Sequence, residues 1–182
     1  MNMPAPSRRP IAFPIAFLAA FLCLPLAAYS QQYMDARNSS DETARLETQM
    51  WEMINRDRTA PAQAEETRGR ARPLVWDAKL AAAAREHSEE MARTGFFGHT
   101  SPDGSTLSRR VSRAGVLWLS IGENIAKVDD VARAEAMFMD EPKFERNHRG
   151  NILDPNYTHV GVGIARGRDG LLYITQEFAQ LR

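Results

Sequence analysis

Hydrophobic positions in the first half of the chain recur at helical spacing. Leu46, Met50 and Ile54 lie on one face of a helix that is predicted over about 41–58. The next segment, 59–73, is rich in Ala, Glu, Arg, Gly and Pro and has no apolar face. It is therefore predicted to be an exposed connection.

A second helix is predicted over 78–94, with Asp77 as its N-cap and Gly95 as its stop. Its apolar stripe contains Leu80, Ala84, His87 and Met91. His87 falls on this buried stripe, so it is interpreted as a core residue with a satisfied hydrogen bond, the alternative being a ligand. Two shorter helices are predicted over about 106–114 and 130–140.

The hydrophobic period changes to two in the last part of the chain. Apolar residues alternate over 160–164, and the same alternation recurs over 172–178 with Gln176 as its one polar member. The intervening 167–170 is Gly-Arg-Asp-Gly. This pattern predicts a terminal β-hairpin. Gly161 and Gly163 share the opposite pleat of the first strand, which indicates that another element packs close to that backbone.

The first thirty residues have the three-part pattern of a secretory signal peptide. Two arginines precede an uncharged, largely apolar run over 11–28, and Ala28 and Ser30 are small residues before a cut at Gln31. An uncleaved membrane anchor and a twin-arginine signal are the alternatives. The expected location of the protein is secreted or periplasmic. Cys23 is interpreted as apolar filler within this run.

The composition changes once this segment is set aside. The whole chain has 182 residues, 23 basic and 23 acidic side chains and one cysteine. Without 1–30 it has 152 residues, 21 basic and 23 acidic side chains and no cysteine. A polybasic nucleic-acid binder, a disulfide-stapled miniature and a zinc site of several cysteines are therefore excluded. The mature chain is predicted to comprise a polar leader, 31–40, and one domain, 41–182.

Three polar clusters carry the candidate chemistry. His99 lies in a loop that ends in a Ser-Pro-Asp-Gly turn, Glu123 follows an apolar run, and His148 stands beside an aliphatic stretch. Each has an ordinary structural explanation when taken alone: a loop histidine bonded to carbonyls, the partner of an arginine, and a cation at a helix end.

The order of these clusters is more specific than any one of them. The chain reads F-G-H-x-S-P-D-G over 97–104, then G-E-N-I-A over 122–126, and H-R-x-N-I-L-x-P-x-Y over 148–157. V-G-V-G and Q-x-F-A follow within the hairpin. Over about 43–179 this order resembles the CAP superfamily of cysteine-rich secretory, antigen 5 and pathogenesis-related group one proteins, in particular its bacterial secreted, SCP-like branch.

The resemblance implies an α+β fold, a three-layer α-β-α sandwich with a central antiparallel sheet. It also implies a cleft with two histidines and two acidic residues. Matched by motif, these are His99, Glu123 and His148, with Glu141 as the second acidic residue and Glu145 as its alternate. His99 and His148 are the candidate ligands of zinc or another divalent metal.

Two functions remain open from the sequence. The first is a binding module whose cleft takes a metal or a lipid, polysaccharide or peptide ligand. The second is a hydrolase of peptide or cell-envelope bonds, in which a His–Glu pair provides a general base. Ser101 is a nearby hydroxyl, although a serine before Pro-Asp-Gly is more simply the first residue of a turn.

Further expectations concern partners and the cleft wall. The protein is expected to be a monomer without a nucleic-acid partner, and without stable membrane insertion after signal cleavage. An apolar cleft wall is one interpretation of the nearby aromatic residues, and ordinary core packing is the other. These aromatic residues are Phe96, Phe97, Trp118, Phe138 and Phe144.

Overall fold

The computed structural model describes residues 26–182. The chain divides into two units, 1–35 and 36–182, and the second contains the sheet and the helices around it. The predicted signal peptide falls almost wholly within 1–25, outside the described residues. The helices are α1 Leu26–Thr59, α2 Ala64–Thr67, α3 Ala78–Thr94, α4 Leu107–Arg113, α5 Val131–Met139 and α6 His148–Leu153. The strands are β1 Val75–Trp76, β2 Trp118–Val128, β3 His159–Arg166 and β4 Leu172–Leu181.

Helix α1 is much longer than its apolar stripe predicts. It begins at Leu26, so the polar leader over 31–40 is helical. This stretch contains no Gly or Pro and is rich in residues with ordinary or good helix propensity. Among the described residues, no helix is both long enough and apolar enough to cross a membrane.

The sheet has the strand order β1-β3-β4-β2. Strands β3 and β4 form the predicted hairpin, with Val160 opposite Phe178. Strand β2 pairs antiparallel with β4 along its whole length, and Glu123 stands opposite Glu177. The expected antiparallel sheet therefore gains one short parallel pairing, because β1 joins β3 in parallel.

Helices cover both faces of the sheet, as the three-layer prediction requires. On one face, α1, α5 and α6 contribute Met50, Phe138 and Ile152 to the main core. On the other face, α3 and α4 contribute Leu80 and Val111 to a second cluster. The predicted α-β-α sandwich is confirmed.

Local signals account for most helix boundaries. The Asp77 carboxylate accepts hydrogen bonds from two backbone N–H groups of α3, and Gly95 ends α3 at φ 75°. Asp130 caps α5 in the same way. Helix α4 is capped by Thr106, so it begins one residue after the predicted start at 106.

The connection over 59–73 differs from its prediction. It includes α2, and the Glu66 side chain is nearly buried because it pairs with the nearly buried Arg149, with 2.9 Å between their charged atoms. The segment is therefore not a purely solvated connection. The absence of an apolar stripe concealed this role, because the contact is made by a polar side chain.

The two glycines of β3 allow α3 to pack directly on the strand. A Cβ atom on Gly161 would lie 2.1 Å from the backbone nitrogen of Ala81, and one on Gly163 would lie 2.1 Å from that of Arg85. Both distances are far below van der Waals contact. The predicted close approach is thus made by the α3 backbone itself.

Replacing Gly161 with alanine is expected to lower the free energy of unfolding by about 1–3 kcal/mol, because α3 must move away from β3. Urea unfolding measures this loss. Gly98→Ala is the matched control, since its added Cβ would meet only the ring end of Phe96, a side chain that can turn. Equal stability of the two variants would contradict the proposed packing constraint.

Candidate functional site

The structure brings the four predicted site residues to one cleft of about 350 Å³. His99 lies in the loop after α3, Glu123 lies on β2, Glu141 follows α5, and His148 begins α6. The cleft is also lined by Arg146, Asn147 and Asn151. Residues separated by 49 positions in the sequence thus share one opening.

A buried arginine positions the first histidine–carboxylate pair. His99 Nδ1 lies 2.8 Å from Oε1 of Glu123. The other oxygen of Glu123 accepts a hydrogen bond from Arg110, which also donates to the carbonyl oxygen of His99 at 3.1 Å. Arg110 therefore holds both the carboxylate and the loop that carries the imidazole.

A third carboxyl lies behind this pair. Glu177 is fully buried, and its Oε1 is 3.8 Å from Nε of Arg110. Neither of its oxygens has a hydrogen-bond partner within the described chain. Burial, together with the charge of Glu123, raises the pKa of Glu177 well above its ordinary value, although Arg110 opposes this shift. No motif in the sequence points to Arg110 or Glu177 as part of this arrangement.

The second pair joins His148 and Glu141. His148 Nδ1 lies 2.6 Å from Oε1 of Glu141, whose Oε2 accepts the His148 backbone N–H at 2.7 Å. Burial raises the pKa of Glu141, but hydrogen bonds and the charge of His148 outweigh it, so the pKa is lowered overall. The alternate residue, Glu145, lies in a neighbouring cavity and does not line the cleft.

An amide network ties the cleft to the core. Asn124 donates to the carbonyl oxygen of His148 at 3.0 Å and to Oε1 of Gln176 at 2.9 Å. Gln176 in turn donates to the buried carboxyl of Glu135 at 3.0 Å. Burial raises the pKa of Glu135 to about 8, which keeps this carboxyl protonated at neutral pH.

We expect Asn124→Ala to lower the melting temperature by about 4–8 °C, equivalent to about 2 kcal/mol. The buried Gln176 oxygen would lose a hydrogen bond from Asn124, and the carbonyl of His148 would lose another. Thermal unfolding followed by circular dichroism measures the change. Asn156→Ala, at an exposed position with local hydrogen bonds to Asp154, should leave the melting temperature unchanged. An unaltered melting temperature for Asn124→Ala would show that the network does not stabilise the fold.

The donor set at the cleft limits how a metal could be held. Both carboxylates accept hydrogen bonds from the histidine Nδ1 positions, which leaves Nε2 as the unprotonated nitrogen of each neutral ring. Within residues 26–182, no group of three or more His, Cys, Asp or Glu side chains is placed to hold an ion. The described cleft residues therefore offer an ion the two imidazole nitrogens, and not a closed site with three protein ligands.

Two nearby residues have structural roles. His87 is fully buried, and its Nε2 lies 3.0 Å from the carbonyl oxygen of Gly98, as the core interpretation expected. Ser101 begins its predicted turn, and its nearly buried hydroxyl donates to Glu90 at 2.5 Å. That hydroxyl is directed to the α3 carboxylate and is not among the residues lining the cleft.

The aromatic residues do not form the cleft wall as a group. Phe138 is buried in the core, and its ring centroid lies 4.7 Å from that of His148. Trp118 packs in the second cluster, while Phe97 and Phe144 are exposed. None of the five is among the residues lining the cleft.

The sequence profile of the cysteine-rich secretory protein family, abbreviated CAP, matches residues 51–178, more than half of the chain. The chain belongs to the CAP family. The matched range extends from α1 to β4 and includes all four cleft residues. The resemblance seen in the motif order is thereby confirmed.

This CAP domain is similar to domains of bacterial proteins. It is 36% identical over 107 residues to the uncharacterized membrane protein YlbC of Bacillus subtilis (strain 168), covering 58% of this chain and 28% of YlbC. An extracellular SCP-domain protein from Bacillus anthracis str. Ames has a TM-score of 0.59 and 28% identity, over 77% of this chain and 43% of that one. NaASP2, crystallised with Zn²⁺, shares the fold at a TM-score of 0.51 and 17% identity, over 74% and 79% of the chains. The chain thus spans less than half the length of these two bacterial proteins.

Proposed function

We propose that this CAP domain works outside the cytoplasm as a binding module whose cleft takes a ligand, a divalent metal, or both. The observation that carries the proposal is the paired arrangement at the cleft. Each histidine has one ring nitrogen fixed by a carboxylate, so the other nitrogen is set as an acceptor or a metal ligand. The predicted signal peptide and the extracellular SCP-domain relative support export.

Zinc or another borderline divalent ion is the metal that two neutral imidazoles suit best. His99 and His148 would hold it through Nε2, with Glu123 and Glu141 orienting the rings. A bound ion would supply Lewis-acid polarisation of a ligand oxygen. The zinc present in the NaASP2 crystal structure supports testing this metal first.

Calorimetric titration of untagged protein with zinc tests the proposal. We expect one weak site that His99→Ala and His148→Ala each abolish. His159→Ala is the matched control. His159 lies on β3, its ring is hydrogen-bonded to the Thr158 hydroxyl, and it does not line the cleft. Zinc binding that survives in both cleft variants would refute the metal proposal.

A hydrolase is the second candidate, favoured by the His99–Glu123 pair, which orients an imidazole as a general base. The residues lining the cleft include no serine, threonine or cysteine. Such an enzyme would therefore use water as its nucleophile. Turnover of peptides or envelope polymers that disappears in His148→Ala and Glu123→Ala would favour this function. Ligand binding without turnover would favour the module.

A further inference from the structure

A second cavity of about 520 Å³ adjoins the cleft. Arg146 and Asn151 line both cavities, so the two openings meet at these side chains. Phe144, Asp154 and Tyr157 lie on the wall of the second cavity only. A ligand longer than the cleft itself would therefore extend along this wall.

Phe144 combines an uncommon backbone conformation with an exposed aromatic ring. Its φ angle is 61°, in the left-handed region that bulky side chains rarely adopt, and Arg68 is the only other non-glycine residue of the described chain with positive φ. The residue is 67% exposed. Backbone strain and an aromatic ring in water both cost free energy, and such strained positions cluster at functional sites.

Polar contacts through Glu66 hold this strained residue in place. The Phe144 N–H donates to Oε1 of Glu66 at 3.1 Å, and Oε2 of Glu66 accepts from Nε of Arg149 at 2.9 Å. The loop also passes so close to Gly150 that a Cβ there would lie 2.2 Å from the carbonyl oxygen of Glu145. The fold thus fixes the backbone of Phe144 while leaving its ring at the cavity rim.

The remaining groups indicate the chemistry of an occupant. Arg146 makes no ion pair or hydrogen bond with any residue in 26–182, so a cation is available where the cavities meet. The hydroxyl of Tyr157 and one oxygen of Asp154 are also without partners in that range. The carboxylates of Glu66 and Glu145 line this cavity as well, and Glu66 is paired with Arg149. A flat ring, carboxylates that accept from hydroxyls and a single guanidinium match a sugar ring that carries several hydroxyls and one carboxylate.

We propose that the second cavity is a subsite for a carboxylated sugar chain, with Phe144 stacking on a sugar ring and Arg146 pairing with its carboxylate. The proposal rests on the proposed function, because it names the ligand class of the same cleft. The chain would pass from Phe144 across Arg146 towards His99 and His148.

The experiment measures binding of oligogalacturonate and hyaluronate oligomers to the purified protein by calorimetry. We expect binding of at least one, about tenfold weaker binding of the methyl ester of that sugar chain, and no binding of oligoglutamate. Absence of binding to both sugar chains would overturn the proposal. Tighter binding of oligoglutamate would assign the subsite to an acidic peptide instead.

Variants separate ligand contact from folding. Phe144→Gly removes both the ring and the strain, so we expect sugar binding to weaken about tenfold or more while the melting temperature stays level or rises. Phe144→Trp should retain binding, and Arg146→Gln should weaken it. Leu117→Ala is the control, because Leu117 is equally exposed but lines neither cavity. Unchanged sugar binding in Phe144→Gly, or a clear fall in its melting temperature, would refute the assignment.

The double variant His99→Ala/His148→Ala distinguishes the two proposals. Sugar binding that depends on Phe144 but survives the double variant would retain the subsite and reject the histidine cleft as part of the sugar site. Sugar binding that depends on the histidines but not on Phe144 would retain the cleft and reject the subsite.

Discussion

Replacing Glu135 with glutamine is expected to raise the free energy of unfolding more at pH 8 than at pH 4. The gain at pH 8 should exceed the gain at pH 4 by on the order of 3–5 kcal/mol. Glu135 is buried beneath Gln176, and one of its oxygens has no partner in the described chain. Burial raises its pKa from 4.5 to about 8. Glutamine has nearly the same shape and never ionises.

The direction of this pH dependence follows from which state, folded or unfolded, retains the Glu135 proton. Between pH 4.5 and pH 8 the unfolded chain releases the Glu135 proton, whereas the folded protein retains it. The folded state binds more protons in this window, so the free energy of unfolding falls as the pH rises. Below pH 4.5 both states are protonated, and this contribution to the pH dependence disappears.

Urea unfolding of the natural protein and of Glu135→Gln at several pH values between 4 and 8.5 tests this expectation. Glu177 also has a raised pKa, so it adds its own pH dependence to the free energy of unfolding of both proteins. The difference between the two curves therefore isolates Glu135. Glu52→Gln, an exposed change on α1, provides the control. Parallel curves for the natural protein and Glu135→Gln would show that the carboxyl is not held neutral.

The sequence predicted those parts of the fold that have a strong periodic or capping signal. Helix α3 has an amphipathic stripe, an Asp77 cap and a Gly95 stop, and all three are present in the structure. Strand β2 was missed because Gly122, Glu123 and Asn124 interrupt any alternation of apolar residues. Pairing with β4 along its whole length stabilises this strand, and a local pattern does not contain that information.

The candidate site divides in the same way. His99, Glu123 and His148 lie in recognisable motifs, so their place at the cleft was expected from the resemblance. Arg110 and Glu177 have no such signal. Their contacts with Glu123 depend on the β2–β4 register and on how α4 packs against the sheet. Both are features of the tertiary structure that a local sequence pattern does not contain.

Arg110→Met is expected to lower the free energy of unfolding by about 3–5 kcal/mol at neutral pH. Arg110 is almost fully buried and stands between Glu123 and Glu177, which are also buried. It donates to the carbonyl oxygens of His99 and Ser105, both at 3.1 Å. Methionine fills a similar volume but leaves the Glu123 carboxylate without its cation and the two carbonyls without these donors.

Urea unfolding at pH 5 and pH 8 measures the loss, which should be smaller at pH 5. Without the cation, the buried carboxyls bind protons more tightly in the folded state, so stability falls as the pH rises. Arg110→Lys should lose less of the free energy of unfolding, because its ammonium retains the charge. It should still lose some, because it lacks the planar fork of the guanidinium. Arg113→Met, on the same helix, removes only an exposed pair with Glu86 and should change stability little.

The outcome for Arg110→Met also tests how the cleft is organised. Because Arg110 holds Glu123 and the carbonyl of His99 together, its removal should disorder the His99 ring and weaken zinc binding by the folded protein at pH 7, where few protons compete with zinc for the imidazoles. Loss of stability with normal zinc affinity would mean that Arg110 serves only the core. Loss of both stability and zinc affinity would show that the buried guanidinium of Arg110, and not the exposed loop, fixes His99 at the cleft.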